Sequence, residues 1–398
     1  MSYRRRPRLQ TDRAPLETVA PPVLGKESGN VEARPVPHGC GLFCFSSMRN
    51  GITFDSWYER FLRFAGDLYP GRYTAGYVRE LVEMGRRVQA LAGEKRSTIV
   101  AHNYQYPELQ EVAETVGDSL GLSQYVAEKA TPRVDFCGVL FMGETAKTIV
   151  GDRARVYMPD RPGCSLVASI DHSRLDNWIA HHPDGVIISY VNTDARTKAR
   201  SHYVCTSRNA AQVMAHAARE FPERRILFLP DKYLRAFAIS QSGVDPDRVD
   251  LYDGACHVHM KIGESALEEA LDRHPDAELL IHPECGCASS CLAKAVVAGP
   301  AYGKAYYLST EQMLWHACNS PSREFVVATE MGMVYRLRKE VPEKTFYPIS
   351  MLAVCEYMKM NTLEKLLDSL ERDRVEILIE EEIQRKAQAA IQRMLEIQ

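Results

Sequence analysis

The chain lacks any apolar run near the roughly 20 residues that a membrane-spanning helix needs. It also lacks a strong charge of either sign: a net charge of −3 gives no reason to expect nucleic acid or an anionic membrane as partner. No apolar stretch of about 7–15 residues follows the cluster Arg4, Arg5, Arg6 and Arg8, so that cluster does not read as a secretory signal. Asp12, Glu17 and the want of a Ser-rich stretch argue against an organellar transit peptide. A cytoplasmic location is therefore expected. Nucleotide fingerprints are missing too, since neither GxGxxG after a strand nor GxxxxGK(S/T) occurs. What is present, 45% hydrophobic and 25% charged residues over 398 positions, describes a globular chain of two or three domain-sized units.

Cysteine is not scarce. Eleven of them without a secretion signal point to free thiols, metal ligands or catalysis rather than a disulfide scaffold. Cys40 and Cys44 have no second pair nearby to complete a zinc site. Cys285, Cys287 and Cys291 follow a C-x-C-x₃-C spacing, which fits neither paired zinc ligands nor the C-x₃-C-x₂-C loop of radical S-adenosylmethionine enzymes. Cys164, Cys205 and Cys318 read as core, because free cysteine is among the most buried residue types. Three others stand far apart at what read as strand ends: Cys137 in DFCGV, Cys256 in GACHVH and Cys355 in CEYM. Thiolates from each third of a chain can meet at one metal centre only if the fold is built around it. Three of them on a four-iron cluster would leave one iron open to substrate as a Lewis acid.

Residues 1–50 carry many Pro, Gly and Arg with little periodicity and read as an extension. From Asp55 to Ala92 the apolar spacing is helical, interrupted by Pro70-Gly71. A unit then recurs about every 90 residues: apolar run, polar cluster, helix, second run, helix, third run. First runs end at His102-Asn103-Tyr104, Tyr190-Val191-Asn192 and His282-Pro283-Glu284. Second runs are read at Phe136–Phe141, His202–Cys205 and Ala305–Leu308; third runs end at Asp160, Asp231 and Glu330. Short apolar strands alternating with helices indicate parallel α/β sheets covered on both faces. The expected organisation is 1–95 for the extension and helices, 96–184, 185–272 and 273–398 for three αβα units, the last with C-terminal helices.

In such sheets ligands gather at the carboxyl ends of strands, where the polar clusters stand. His102 and Tyr104, Tyr190 and Asn192, and His282 and Glu284 are each two residues apart, so each pair can face one side of an extended segment. His282 and Glu284 are the acid–base candidates, since a dry pocket can tune a glutamate up toward neutral pH. Gly117-Asp118-Ser119 reads either as a plain helix cap or as an anion site at a helix start. Ser207 and Thr310 follow second strands, whereas Ser119 reads as following a helix and breaking the symmetry.

Together these motifs resemble the quinolinate synthase family, the A protein of NAD biosynthesis. The resemblance rests on AHNYQ at 101–105, GDSL at 117–120, FCGVLFMGETAK at 136–147 and GCSL at 163–166. It continues with YVN at 190–192, CTSRNA at 205–210, FLPD at 228–231 and CHVH at 256–259. HPEC at 282–285, ATEMG at 328–332 and CEYMKMNTLE at 355–364 complete it. The resemblance implies three similar αβα domains around a pseudo-threefold axis with a central [4Fe–4S] cluster, its ligands falling on Cys137, Cys256 and Cys355. It implies condensation of iminoaspartate with dihydroxyacetone phosphate to quinolinate, with an L-aspartate oxidase or dehydrogenase supplying the imine.

Catalytic roles would fall on Glu284, His282 and Tyr104, and substrate contacts on His102, Ser119, Tyr190, Val191, Asn192, Ser207, His282, Pro283, Glu284 and Thr310. The family's GST turn appears here as Leu308-Ser309-Thr310, and the C-x-x-C-x-x-C run of some members is reduced to Cys355 alone. Another cluster-dependent hydro-lyase and a non-enzymatic iron–sulfur carrier are the alternatives; a carrier would have no use for His282, Glu284 or Tyr104.

Overall fold

The computed structural model describes residues 51–286 and 304–397. Residues 1–50, with Cys40 and Cys44, and the cysteines Cys287 and Cys291 lie outside the described residues. Twelve described strands form three parallel sheets of four. The first holds β1 (Ser97–His102), β2 (Thr115–Gly117), β3 (Arg133–Cys137) and β4 (Arg155–Tyr157). The second holds β5 (Val186–Tyr190), β6 (Tyr203–Cys205), β7 (Ile226–Leu229) and β8 (Val249–Leu251). The third holds β9 (Glu278–Ile281), β10 (Ala305–Tyr307), β11 (Glu324–Ala328) and β12 (Thr345–Pro348). Each sheet is ordered second–first–third–fourth strand. The α/β class with three similar parallel-sheet layers is thus as expected. The first and third strands of each sheet lie side by side at its centre, and their residues are buried almost throughout, as a sheet covered on both faces requires.

The strand registers differ from the expected order of the runs. The run at Phe136 is the third strand of its sheet, not the second; it pairs with β1 through Ala101–Cys137, as Ser189 pairs with Leu229 and Ile281 with Ala328. The true second strand is β2, whose Thr-Val-Gly sequence makes no apolar run. Ser119 therefore follows a second strand after all, two residues beyond Gly117, the partner of His102. Ser207 stands two residues beyond Cys205, the partner of Tyr190. Thr310 takes the same place in the third sheet, where Leu308 donates its N–H to Ile281 O at 2.9 Å beside His282.

The first two helices form as the spacing predicts. Thr53 caps Phe54–Ala65 by accepting from Ser56 N at 3.3 Å, and Trp57, Phe61 and Ala65 repeat on one buried face. Thr74 caps Ala75–Glu94, whose Gly85 passes under Trp57; a Cβ there would lie 2.6 Å from the indole ring. Phe61 ties this pair to the third sheet's layer, its ring 4.6 Å from Tyr73 and 6.4 Å from Tyr335 on the helix Gly332–Glu340. Truncating so large a buried ring leaves a cavity, so Phe61→Ala should cost about 3–5 kcal/mol. Chemical denaturation checks this: the midpoint should fall with the slope unchanged. The C-terminal helix Glu381–Glu396 packs on β6 and on the helices Leu140–Val150 and Ala195–Lys198, while Leu363–Arg372 packs on Ala75–Glu94 and β3.

Candidate active site

The carboxyl ends of all three sheets open on one cavity of ≈ 70 Å³. At each sheet's centre the first and third strands carry their connections away in opposite directions, and the crevice left there is where α/β sheets bind ligands. His102 and Tyr104, Tyr190 to Asn192, and His282 with Glu284 line the cavity, as do Ser119, Ser207 and Thr310. Pro283 does not border it.

Asp118 bears out the helix-cap reading. It caps Ser119–Glu128 by accepting from Gly121 N at 2.7 Å, which leaves Ser119 as the first helical residue on the cavity wall. Thr310 likewise opens its helix, with Ser309 and Gln312 forming a reciprocal capping box behind it. Unpaired N–H groups and the positive end of the dipole at such positions favour a carboxylate or phosphate.

One ion pair dominates the electrostatics. His259 Nδ1 lies 2.7 Å from Glu284 Oε2, off the line of a hydrogen bond, with both side chains buried. Burial alone would drive Glu284 up and His259 down. Each instead opposes that drive: His259, with His282, holds the carboxyl well below the usual range, and Cys256 and Glu284 hold the imidazole well above its own. The expected upward tuning of Glu284 is therefore overturned, because a histidine faces it that local spacing did not reveal. By contrast, burial lowers His102 to about 3 and His282 to about 4, leaving both rings neutral at physiological pH.

Hydrogen bonds fix the remaining groups. Asn192 Nδ2 donates to Glu284 Oε1 at 3.3 Å, and His282 Nε2 lies 3.1 Å from Ser207 Oγ. Tyr104 Oη and His259 Nε2 both meet Thr329 Oγ1, at 2.6 and 3.1 Å, so this hydroxyl bridges two candidate proton carriers. Glu330, also on the wall, accepts from Cys355 N at 3.3 Å and pairs with Lys359 at 3.1 Å. His259, Thr329 and Glu330 join the site residues that the sequence points to. Their motifs were legible; their meeting depends on tertiary structure.

The cysteines divide differently from the expectation. Cys256 and Cys355 line the cavity, but Cys137 does not; it ends β3 fully buried, and burial with the nearby Asp135 pushes its thiol far up. Its counterparts in the other sheets are Leu229 and Ala328, so no threefold set of thiols includes it. Cys164, expected in the core, does line the cavity. It follows the fourth strand β4, as Cys256 follows β8 and Cys355 follows β12. Cys164 stands close enough to bear on the ionisation of Cys256 and to feel that of Cys355, and burial lifts Cys164 to about 12 and Cys355 to about 11. Such thiols stay protonated until a metal displaces the proton. A different donor set is also present: one ligand atom each from Cys256, His259 and Glu284 lies within 4.8 Å of the others.

Comparison with known proteins shows the family. The family model described as quinolinate synthetase A protein matches residues 86–396. A quinolinate synthase of Thermus thermophilus is 44% identical over 317 residues, covering 79% of this chain and 97% of the relative. One from Pyrobaculum aerophilum is 41% identical over 310 residues, 78% of this chain and 98% of the relative. One from Mycobacterium tuberculosis is 42% identical over 311 residues, 78% of this chain and 87% of the relative. Carrying three equivalent sheets, one shared cavity and this degree of identity across nearly the whole length of its relatives, the chain belongs to the quinolinate synthetase A family.

Proposed function

We propose that the protein condenses iminoaspartate with dihydroxyacetone phosphate to quinolinate, releasing phosphate and two waters, with a [4Fe–4S] cluster held by Cys164, Cys256 and Cys355. The observation that carries this is the convergence of those thiols, one from the loop after each fourth strand, on a cavity that also holds the His259–Glu284 pair. The soft sulfur donors suit iron–sulfur ligation, and the described lining offers no fourth thiol, which suits an iron left open. When bound, such a cluster supplies a Lewis acid that polarises a departing oxygen.

The chain's own groups supply the proton chemistry. Each elimination needs a base for a carbon-bound proton and an acid for the leaving oxygen. Glu284, ionised against His259, is the base; His259 is the acid, and Thr329 connects it to Tyr104. Neutral His102 and His282 serve as hydrogen-bonding groups, with Tyr190 and Asn192 orienting the substrate beside Glu284. Ser119 and Thr310, at helix starts, with Ser207, receive carboxylate or phosphate oxygens. Holding both substrates in one buried site makes the condensation effectively intramolecular.

An L-aspartate oxidase or dehydrogenase would supply the imine, and the cytoplasm is the setting in which the free thiols Cys137, Cys164, Cys205, Cys256 and Cys355 persist. Among the described residues no helix is long and apolar enough to cross a membrane. The Cys256–His259–Glu284 group supports a second reading, a single metal ion on mixed ligands. An iron–sulfur carrier would not need the buried acid–base pair. Protein purified without oxygen and assayed for quinolinate, with metal counted in the same sample, separates these readings. About four irons per chain with quinolinate formation is the expected result. One metal ion per chain would favour the mixed-ligand site, and a full cluster with no quinolinate would overturn the assigned reaction.

A further inference from the structure

Each of the three cavity cysteines is followed by a polar residue, and those three residues meet. Ser165, after Cys164, places Oγ 2.9 Å from Nδ1 of His257, which follows Cys256. His257 Nε2 in turn lies 2.9 Å from Oε2 of Glu356, which follows Cys355. Ser165 Oγ also accepts from the His257 backbone N–H at 3.2 Å. One neutral tautomer satisfies every contact: the His257 amide donates to Ser165 Oγ, Ser165 O–H donates to Nδ1, and Nε2–H donates to the carboxylate. Lys261, beyond the same cysteine, adds its Nζ at 3.3 Å from Glu356 Oε1. The Cys256 and Cys355 loops also touch through their rings, His257 standing edge-on to Tyr357 at 5.5 Å.

Serine, histidine and glutamate in a row also make hydrolytic triads. Here Ser165 Oγ is already committed to the amide of His257, and all three residues sit on cysteine-bearing loops. Their placement serves to join those loops.

We propose that Ser165, His257 and Glu356 form a clasp that fixes the three cysteine loops against one another and so retards loss of the metal centre. The inference rests on the reading that Cys164, Cys256 and Cys355 hold iron. Glu356 is 64% exposed and His257 31%, so the chain of bonds adds little to global stability. Its effect falls on local opening of the loops, which has its own free energy.

The test uses iron-loaded protein purified without oxygen, with Ser165→Ala, His257→Phe and Glu356→Ala compared with the parent. Bathophenanthroline disulfonate is added and iron release is followed by absorbance. Each variant should release iron roughly tenfold faster, the scale of losing about one hydrogen bond of the chain. The melting temperature should stay unchanged, and Ser165→Thr, which keeps the hydroxyl, should restore slow release. The Ser165→Ala/Glu356→Ala double variant should be no faster than the faster single, since both break one chain. Release at the parent rate from folded His257→Phe protein would overturn the clasp. If the parent itself holds no iron, the cluster reading fails separately. Differential alkylation of Cys164, Cys256 and Cys355 then decides: faster labelling in the variants supports the clasp, and equal labelling overturns it.

Discussion

Glu284→Gln is expected to lower quinolinate formation by roughly 10²–10⁴-fold, the range for removing a positioned acid–base group. Iron content should match the parent. Glutamine keeps the shape of the side chain and an oxygen for Asn192, so the cavity should not collapse. It removes the negative charge facing His259 at 2.7 Å, and with it the proton acceptor and one of the two groups, after Cys256, that raise the affinity of His259 for its proton. The effect should appear in kcat and in kcat/KM alike, because the lost interaction belongs to the transition state. Steady-state kinetics on anaerobic protein, with iron counted, checks both parts. Turnover within a few-fold of the parent would remove Glu284 from the chemistry. Metal lost together with activity would favour the mixed Cys256–His259–Glu284 site instead.

Legibility in the sequence follows the apolar content of the elements. β1, β5 and β9 are four to six residues long, apolar, and end in polar residues two apart, so His102, Tyr104, Tyr190, Asn192, His282 and Glu284 were all found on the cavity wall. β2, with the sequence Thr-Val-Gly, holds a single apolar side chain and makes no run, whereas the equally short β6 and β10 do, and missing it shifted the first unit by one strand. That shift made Ser119 look irregular; Cys137 joined the thiol set because DFCGV reads as a strand end and stands in a different third of the chain from Cys256 and Cys355. Cys164 lies in a loop between Pro162-Gly163 and the four-residue helix Ser165–Ala168, where no periodicity points to a cavity. His259 sits in a legible motif, but its pairing with Glu284, 25 positions along the chain, is a property of two sheets meeting. Strand ends are written locally; convergence between sheets is not.

The second large effect separates two thiols. Cys164→Ser should strip the protein of most of its iron and abolish quinolinate formation, whereas Cys137→Ser should keep both the iron and most of the activity. Serine removes the soft sulfur donor at either position, so the chemical change is the same and only the location differs. Cys164 lines the cavity beside Cys256 and Cys355 and stands, like them, after the fourth strand of its sheet. Cys137 is sealed at the end of β3, where the corresponding residues of the other sheets are Leu229 and Ala328, which cannot bind metal. A hydroxyl in that fully buried place costs stability, by roughly 1–3 kcal/mol if it stays unbonded. Cys137→Ser should therefore show a lower melting temperature beside intact iron, the opposite pattern to Cys164→Ser. Iron counted per folded chain, with melting followed on the same samples, reads both variants at once. Iron lost from Cys137→Ser and kept by Cys164→Ser would return the first ligand to β3 and remove the equivalence of the three loops as the basis of the centre.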